Sequence, residues 1–205
     1  MKETFIQGIF PVPIYITSLG RNFSSSEITF VNKSKNKIYK NQGNITSDNN
    51  YILNSSPFKK IKKELNLIIL DYFEKIISPL NKVTPYITQS WLNYTETNQF
   101  HHTHEHPNSL VSGVLYINAD EKFDNIKFYK GNSYSTIKLL IKNYNFFNSD
   151  CWVFPVETGK IILFPSSLTH SVQIKEGLNT RISLAFNVFV KGTVGNNKDL
   201  TELKI

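Results

Sequence analysis

The sequence predicts a mainly β protein, with an antiparallel sandwich or barrel in which a jelly roll is the leading candidate. From about residue 85 onward, seven short segments are rich in β-branched and aromatic residues and are separated by Asn, Asp, Gly, Ser and Pro clusters. Before them, only one stretch has strong helical periodicity, so we expect an N-terminal region containing one long supporting α-helix. We expect a single domain over residues 1–205, with a strand, loops and this helix in 1–84, the jelly-roll core in 85–192 and a tail in 193–205.

Composition excludes several classes of protein. With 205 residues, 40% hydrophobic and 13% aromatic, the chain can bury a core and is not disordered. A single cysteine, Cys151, excludes a disulfide framework and a Cys-rich zinc or iron–sulfur site, and its apolar surroundings suggest an inert thiol. The chain has no run of roughly 18 apolar residues and no N-terminal signal pattern, so we expect a cytoplasmic protein without a membrane partner.

The formal net charge of +7 is unevenly distributed. Residues 1–63 hold ten Lys or Arg and three acidic residues, so that of totals of 23 and 16, thirteen of each sign remain in 64–205. The lysines are scattered through Asn-rich sequence without interleaved aromatic residues that could stack on bases. We therefore expect no nucleic-acid partner.

The N-terminal elements follow from local patterns. Residues 9–19 alternate apolar residues with prolines and predict an edge strand, and residues 20–56 predict loops with a short helix around Ser24–Val31. The long helix is expected over 56–78, with Ser56 as N-cap, Pro57 at the first position and Pro79 after its end. Its apolar stripe recurs at steps of three and four: Phe58, Ile61, Leu65, Ile69, Tyr72, Phe73 and Ile76.

Four of the five histidines lie within six residues, at His101, His102, His104 and His106. In an extended chain, alternate side chains share a face, so His102, His104 and His106 would align while His101 and Glu105 point away. Neutral imidazoles at this spacing can bind one divalent metal. His170 is the last residue of the segment GKIILFPSSLTH, and it is the natural third ligand from a second strand.

Arg181 opens the apolar segment RISLAFNVFV, in a chain whose only other arginine is Arg21. An unpaired charge there would be costly to bury, whereas a guanidinium can grip a carboxylate through two parallel hydrogen bonds. Ser183 lies two residues on and would add a hydroxyl on the same face. The alternative is a structural salt bridge between Arg181 and an acidic residue inside the barrel.

These residues resemble the iron(II)- and 2-oxoglutarate-dependent oxygenases. The chain is most similar to a subfamily of these oxygenases found in bacteria and marine bacteriophages. Four segments carry this similarity: IFPVPIY, FHHTHEHPNSLVSGVLYI, GKIILFPSSLTH and RISLAFN. The resemblance implies a cupin-like double-stranded β-helix (a jelly roll) in which residues 85–192 form the catalytic core. It also implies that the protein lies in the cytoplasm of the host if a phage encodes it. It further implies Fe(II) bound by His104, His106 and His170, and 2-oxoglutarate bound through Arg181 and Ser183.

Two further points come with this resemblance. Tyr116 matches a position that in related prolyl hydroxylases donates its hydroxyl to the distal carboxylate of 2-oxoglutarate; the alternative is a half-buried sheet tyrosine. The family's usual ligands are two histidines and one carboxylate, but His106 stands where the carboxylate is expected. Either the site has three histidines, or Glu105 or His102 joins or replaces a ligand.

The expected activity is hydroxylation of an unidentified small molecule or protein side chain, with release of succinate and CO2. One alternative is a three-histidine cupin-type dioxygenase that needs no 2-oxoglutarate. Another is a non-catalytic jelly-roll binding module whose Lys-rich first third contacts nucleic acid or another anionic surface. The sequence decides neither the substrate nor the oligomeric state.

Overall fold

The structure, a computed structural model, describes residues 3–131, 137 and 139–205. Its helices and strands are β1 Tyr15–Ser18, α1 Ser25–Ser34, β2 Ile38–Lys40, β3 Ile45–Ser47, α2 Lys59–Tyr72, β4 Val83–Thr95, β5 His101–His104, β6 Val111–Asn118, β7 Asn125–Tyr129, β8 Cys151–Pro155, β9 Lys160–Pro165, β10 His170–Val172, β11 Arg181–Val194 and β12 Leu203–Lys204.

The strands form two antiparallel sheets. The large sheet has the order β1-β9-β6-β11-β4-β3-β2, with β12 paired to β11, and the small sheet has the order β5-β10-β7-β8. From β4 to β11 the chain passes back and forth between the two sheets, which is the winding of a double-stranded β-helix. The predicted mainly β jelly roll is confirmed, and β1 is the expected edge strand, although it is only four residues long.

Two helices precede the β-helix. The N-cap of α1 is Ser24, whose side chain accepts from the Glu27 N–H while the Glu27 carboxylate accepts from the Ser24 N–H. The apolar face of α2 is buried as expected, but Ser56 makes no side-chain cap, because Ser56–Phe58 forms a separate 3₁₀ turn before the helix. Wider π-type turns continue α2 to Ile77, and the chain leaves at Ser78 with φ 45°, one residue before Pro79.

The core lies on both faces of the large sheet. Along β9, Ile161 and Leu163 face the helices, whereas Ile162 and Phe164 face the interior between the sheets. This explains why β9 is an unbroken apolar run rather than an alternating one. On the helix side of β6, a Cβ at Gly113 would lie 2.2 Å from the Phe186 ring, so only glycine lets this ring pack there.

Two features of the structure were not expected from the sequence. The short strands β2 and β3 form a hairpin that extends the large sheet beyond β4, in a segment predicted as loops with short ordered pieces. The tail contributes β12 to the same sheet. In the part of the chain that the structure describes, no helix is long and apolar enough to cross a membrane.

Candidate active site

Three imidazoles converge at one end of the interior between the sheets. His104 and His170 face each other across the β5–β10 ladder. His106 follows β5, where its backbone N–H donates to the Ser166 carbonyl over 3.0 Å. One ring nitrogen from each of the three lies within 4.8 Å of the others, a spacing at which a single metal ion can bind all three.

Backbone carbonyls select the ring nitrogens of two of these histidines. His104 Nδ1 lies 2.8 Å from the His102 carbonyl oxygen, and His170 Nδ1 lies 3.0 Å from the Leu168 carbonyl oxygen. A carbonyl can only accept a hydrogen bond, so Nδ1 carries the proton in both rings and Nε2 keeps its lone pair. A hydrogen bond of this kind, from the second ring nitrogen to a backbone carbonyl, is a common way in which proteins orient histidines toward a metal.

Burial keeps these imidazoles neutral. It lowers the pKa of His170 to about 3 and that of His106 to about 4, with the neighbouring His104 adding a smaller effect in the same direction. The pKa of His104 is also lowered, mainly by burial. Metal binding requires unprotonated nitrogen, so at neutral pH the three rings are ready to bind without releasing a proton.

The structure differs from the sequence prediction for His101 and agrees with it for Glu105. Between the pairs Val172–His101 and His170–His104, β10 advances by two residues and β5 by three, so β5 carries a bulge. The bulge breaks the alternation and places His101 on the pocket side, with its ring stacked on that of His104 at a centroid distance of 4.6 Å. Glu105 is exposed and accepts a hydrogen bond from Thr169, outside the cluster.

Arg181 lies buried in the same pocket, with 2% of its surface exposed. Its Nη2 donates to Thr95 Oγ1 over 3.1 Å and its Nη1 to the Asn125 carbonyl over 3.4 Å. Its buried Nε has no hydrogen-bond partner among the residues that the structure describes. Within the described residues no carboxylate lies within 4.0 Å of it, and the nearby Asp124 pairs instead with Lys175 at 3.5 Å. The structural salt bridge considered for Arg181 is therefore absent from this part of the chain.

The pKa values of Arg181 and of the neighbouring Tyr116 both respond to burial. Burial lowers the pKa of the guanidinium, and the neighbouring Tyr116 and Asp124 act in the opposite direction. Burial raises the pKa of the Tyr116 hydroxyl, which therefore remains protonated at neutral pH and can donate. A buried cation with a free N–H is an incomplete ion pair, and an anionic ligand would complete it.

The remaining predicted residues also line this pocket. Ser183 and Tyr116 face each other across the β6–β11 ladder, both buried. Sequence reasoning missed Asn93 and Thr95 on β4, which pair with Ser183 and Arg181. Asn93 lines the pocket, and Thr95 accepts a hydrogen bond from Arg181. No motif marks these two residues, and only the strand register reveals them. The pocket occupies about 480 Å³, including solvent at its mouth, and reaches from the three imidazoles to the guanidinium.

The chain is similar to known proteins in sequence and in fold. Residues 89–187 match a family described as "Putative 2OG-Fe(II) oxygenase". Among solved structures, a 2OG-Fe(II) oxygenase-family oxidoreductase from Burkholderia pseudomallei superposes with a TM-score of 0.53 at 13% identity, over 79% of this chain and 76% of that one. HygX from Streptomyces hygroscopicus, solved with nickel, 2-oxoglutarate and hygromycin B, gives 0.57 at 11% identity over 86% and 82%.

A prolyl-4-hydroxylase from Pseudomonas putida is also similar, with a TM-score of 0.53 at 11% identity over 86% of this chain and 92% of that one. No curated protein matches the chain in sequence. At these identities the solved structures show the shared fold alone. The family match contributes more, because residues 89–187 contain the three convergent histidines, Arg181, Ser183 and Tyr116. The family match therefore makes residues 89–187, just under half of the chain, similar to the 2-oxoglutarate- and iron(II)-dependent oxygenases, and the solved structures show that the fold is shared.

Proposed function

We propose that this oxygenase is a dioxygenase that hydroxylates its substrate and releases succinate and CO2. His104, His106 and His170 would hold Fe(II), and Arg181, Ser183 and Tyr116 would hold 2-oxoglutarate. The observation that carries the proposal is the placement of a buried guanidinium with a free N–H in the same pocket as three convergent imidazoles.

The three imidazoles suit a divalent first-row metal. They are neutral, and two of them have Nε2 left free by the carbonyl contacts at Nδ1. Because one ligand comes from β5, one from the turn after it and one from β10, they would occupy one side of the metal and leave the other side open. Open positions are what a co-substrate and O2 require.

The opposite end of the pocket suits a carboxylate. Arg181 would bind it through Nε and an Nη nitrogen, and the hydroxyls of Ser183 and Tyr116 would donate from the neighbouring strands. A short dicarboxylic keto acid can then contact the metal with one end and the guanidinium with the other. 2-Oxoglutarate has the length and the two carboxylates that this arrangement requires, and the family match also supports it.

The residues of the chain orient and shield the reaction. With iron and 2-oxoglutarate bound, the site supplies oxidative decarboxylation coupled to O2, which yields succinate and CO2 and transfers one oxygen atom to the substrate. Arg181 fixes the distal carboxylate, and the apolar side chains of Ile126 and Phe164 in the pocket wall exclude water from the region between the two ends. The hydrogen bonds at His104 and His170 keep both rings in their binding orientation.

We further propose that the ligand set consists of three histidines. Glu105 is turned outward to Thr169, so a carboxylate ligand would require the strand end to rearrange. Three neutral ligands leave both charges of the metal uncompensated by the protein. A dianionic keto acid would balance these charges, so we expect co-substrate and metal to bind cooperatively.

The other functions considered have less support. A three-histidine dioxygenase without 2-oxoglutarate would leave the buried Arg181 and Ser183 without a purpose in the pocket. A non-catalytic module does not agree with the oxygenase family match. The substrate remains open between a small molecule and a protein side chain, the two kinds represented by HygX with hygromycin B and by the prolyl-4-hydroxylase.

An anaerobic titration tests the proposal. Protein loaded with Fe(II) is titrated with 2-oxoglutarate, and a visible charge-transfer band is expected as the keto acid chelates the metal. In air, succinate release should then depend on 2-oxoglutarate. A protein that binds iron but gives no band and no succinate would move the assignment to the three-histidine dioxygenase.

A further inference from the structure

His101 is an imidazole on the pocket side that none of the roles above uses. It stacks on His104 with an angle of 16° between the rings and lines the pocket together with Arg181. Its neighbour His102 does not line the pocket. The bulge in β5 explains why His101 rather than His102 lines the pocket, because it turns the first residue of the strand inward.

The strand register places His101 between the two ends of the pocket. His170 pairs with Phe128 and Ser171 with Lys127, so the next residue of β10, Val172, lies level with Ile126, next to the Asn125 carbonyl that contacts Arg181. His101 pairs with Val172. It therefore lies two residues along the strand from the level of His170, about 7 Å toward Arg181.

The β2–β3 hairpin fixes the tautomer of His101. Asn41 Oδ1 accepts from the Gln42 backbone N–H over 2.8 Å, which turns the amide nitrogen of Asn41 toward His101 Nε2 at 3.2 Å. An amide nitrogen can only donate, so Nε2 of His101 accepts and Nδ1 carries the proton. Within the described residues, Nδ1 has no hydrogen-bond partner, so a neutral N–H donor remains available.

We infer that His101 is a further binding residue for the keto acid, donating its Nδ1 hydrogen to an oxygen of the ligand between the metal and Arg181. The inference rests on the proposed function, since it needs a ligand that spans the pocket. Asn41 then acts as a positioning residue that keeps Nδ1 protonated. The hairpin, which lies outside the oxygenase match at 89–187, thereby contributes to co-substrate binding.

The same hydrogen bond argues against a second use of His101. His101, His102 and His104 also place one ring nitrogen each within 4.8 Å of one another, as a metal site would. In His101, however, Nε2 is occupied by the Asn41 amide and Nδ1 carries hydrogen, so neither nitrogen offers a lone pair. One metal per chain is therefore expected.

Two substitutions separate the nitrogens of His101. His101→Asn places an amide near the position of Nδ1, whereas His101→Gln places one near Nε2, and both are uncharged. 2-Oxoglutarate is titrated calorimetrically into Ni(II)-loaded protein, a readout that needs no turnover. His101→Gln should raise the Kd about 10-fold or more, the effect of losing a hydrogen bond to a charged group, and His101→Asn should raise it less than about threefold. His102→Gln, the same change one residue away, should leave the Kd unaltered.

Each outcome decides between possibilities. Equal Kd values for wild type and His101→Gln, with wild type binding 2-oxoglutarate, overturn the role of His101 and leave the proposed function intact. Failure of wild type to bind 2-oxoglutarate at all overturns both. A Ni(II) stoichiometry of two that falls to one in His102→Gln would instead assign His101 to a second metal site.

A spectroscopic measurement covers the case in which the His101 variants fold poorly. In Zn(II)-loaded wild type labelled with ¹⁵N-histidine, His101 should show a protonated Nδ1 and an unprotonated Nε2. The opposite tautomer would refute the donor role directly.

Discussion

Replacing Arg181 by lysine tests whether the guanidinium grips a carboxylate. The change keeps a positive charge in the pocket but removes the planar fork. The wild-type side chain is 2% exposed, so solvent screens its interactions very little.

The expected magnitude follows from the hydrogen bonds of Arg181. Of its five N–H groups, one on Nη2 donates to Thr95 and one on Nη1 to the Asn125 carbonyl, which leaves three, including that on Nε. Lysine can offer the carboxylate one bond at a time in place of two parallel bonds. Losing one bond to a charged group costs about 1.5–3 kcal/mol, so the Kd and KM for 2-oxoglutarate should rise about 10- to 150-fold, with a smaller effect on kcat.

The assay is succinate release as a function of 2-oxoglutarate concentration, with calorimetric binding to the Ni(II)-loaded protein as a second readout. Arg21→Lys is the matched control, because Arg21 is the other arginine and binds Glu27 and Glu64 far from the pocket. It should alter stability and not KM. An unchanged KM in a folded Arg181→Lys protein would refute the assignment.

Thermal unfolding gives an independent check. In the absence of ligand, Arg181 is a buried cation with no counter-ion in the described part of the chain, so Arg181→Met should be as stable as wild type or more stable. It should lose the rise in Tm that 2-oxoglutarate gives wild type. A marked destabilisation of Arg181→Met would show that the guanidinium has a structural role instead.

Three further predictions concern single residues. His106→Ala should weaken metal binding more than about 100-fold in a chelator competition, because loss of a residue that only hydrogen-bonds to a metal ligand already costs about 10–100-fold. His106→Asp should retain metal binding. Equal losses of metal affinity in the two variants would exclude His106 as a ligand. Gly113→Ala should destabilise the protein by about 1–3 kcal/mol in urea, because its Cβ would overlap the Phe186 ring; an unchanged midpoint would contradict this packing. Burial works to raise the pKa of Glu27, but its bonds to Arg21 and Ser24 hold it below 4.5, so its contribution to stability is complete above pH 4.5 and is lost as the pH falls through the folded pKa. The stability difference between wild type and Glu27→Gln should therefore narrow from pH 7 to pH 3, and a constant difference would exclude the ion pair as its source.

The helices show how far local sequence determines structure. The stripe of α2 predicts its buried face because the side-chain spacing of a helix is fixed by its own backbone. The cap at Ser56 was wrong because the preceding 3₁₀ turn starts the helix differently, and this depends on packing of Phe58 rather than on Ser56 itself. The strands β2 and β3 have only three residues each, which is too short a pattern to be recognised.

The site divides in a similar way. Sequence reasoning could single out four residues of the pocket: His104, His106, His170 and Arg181. Clustered imidazoles and a lone arginine in an apolar strand are unusual, and binding of a metal and of a carboxylate would explain them. His101 was assigned to the wrong face because period-two alternation assumes a regular strand, and the bulge in β5 adds one residue.

By itself, the sequence determined the class of fold, the supporting helix, the histidine segment and the resemblance to an oxygenase family, because each follows from local periodicity or from an ordered motif. The tertiary structure alone decided that the outward-facing Glu105 accepts from Thr169, that Arg181 has no acidic partner among the described residues and that the hairpin at Asn41 reaches His101. These facts depend on contacts between residues as much as 64 positions apart. Such contacts are set by strand register and packing, which local sequence patterns do not encode.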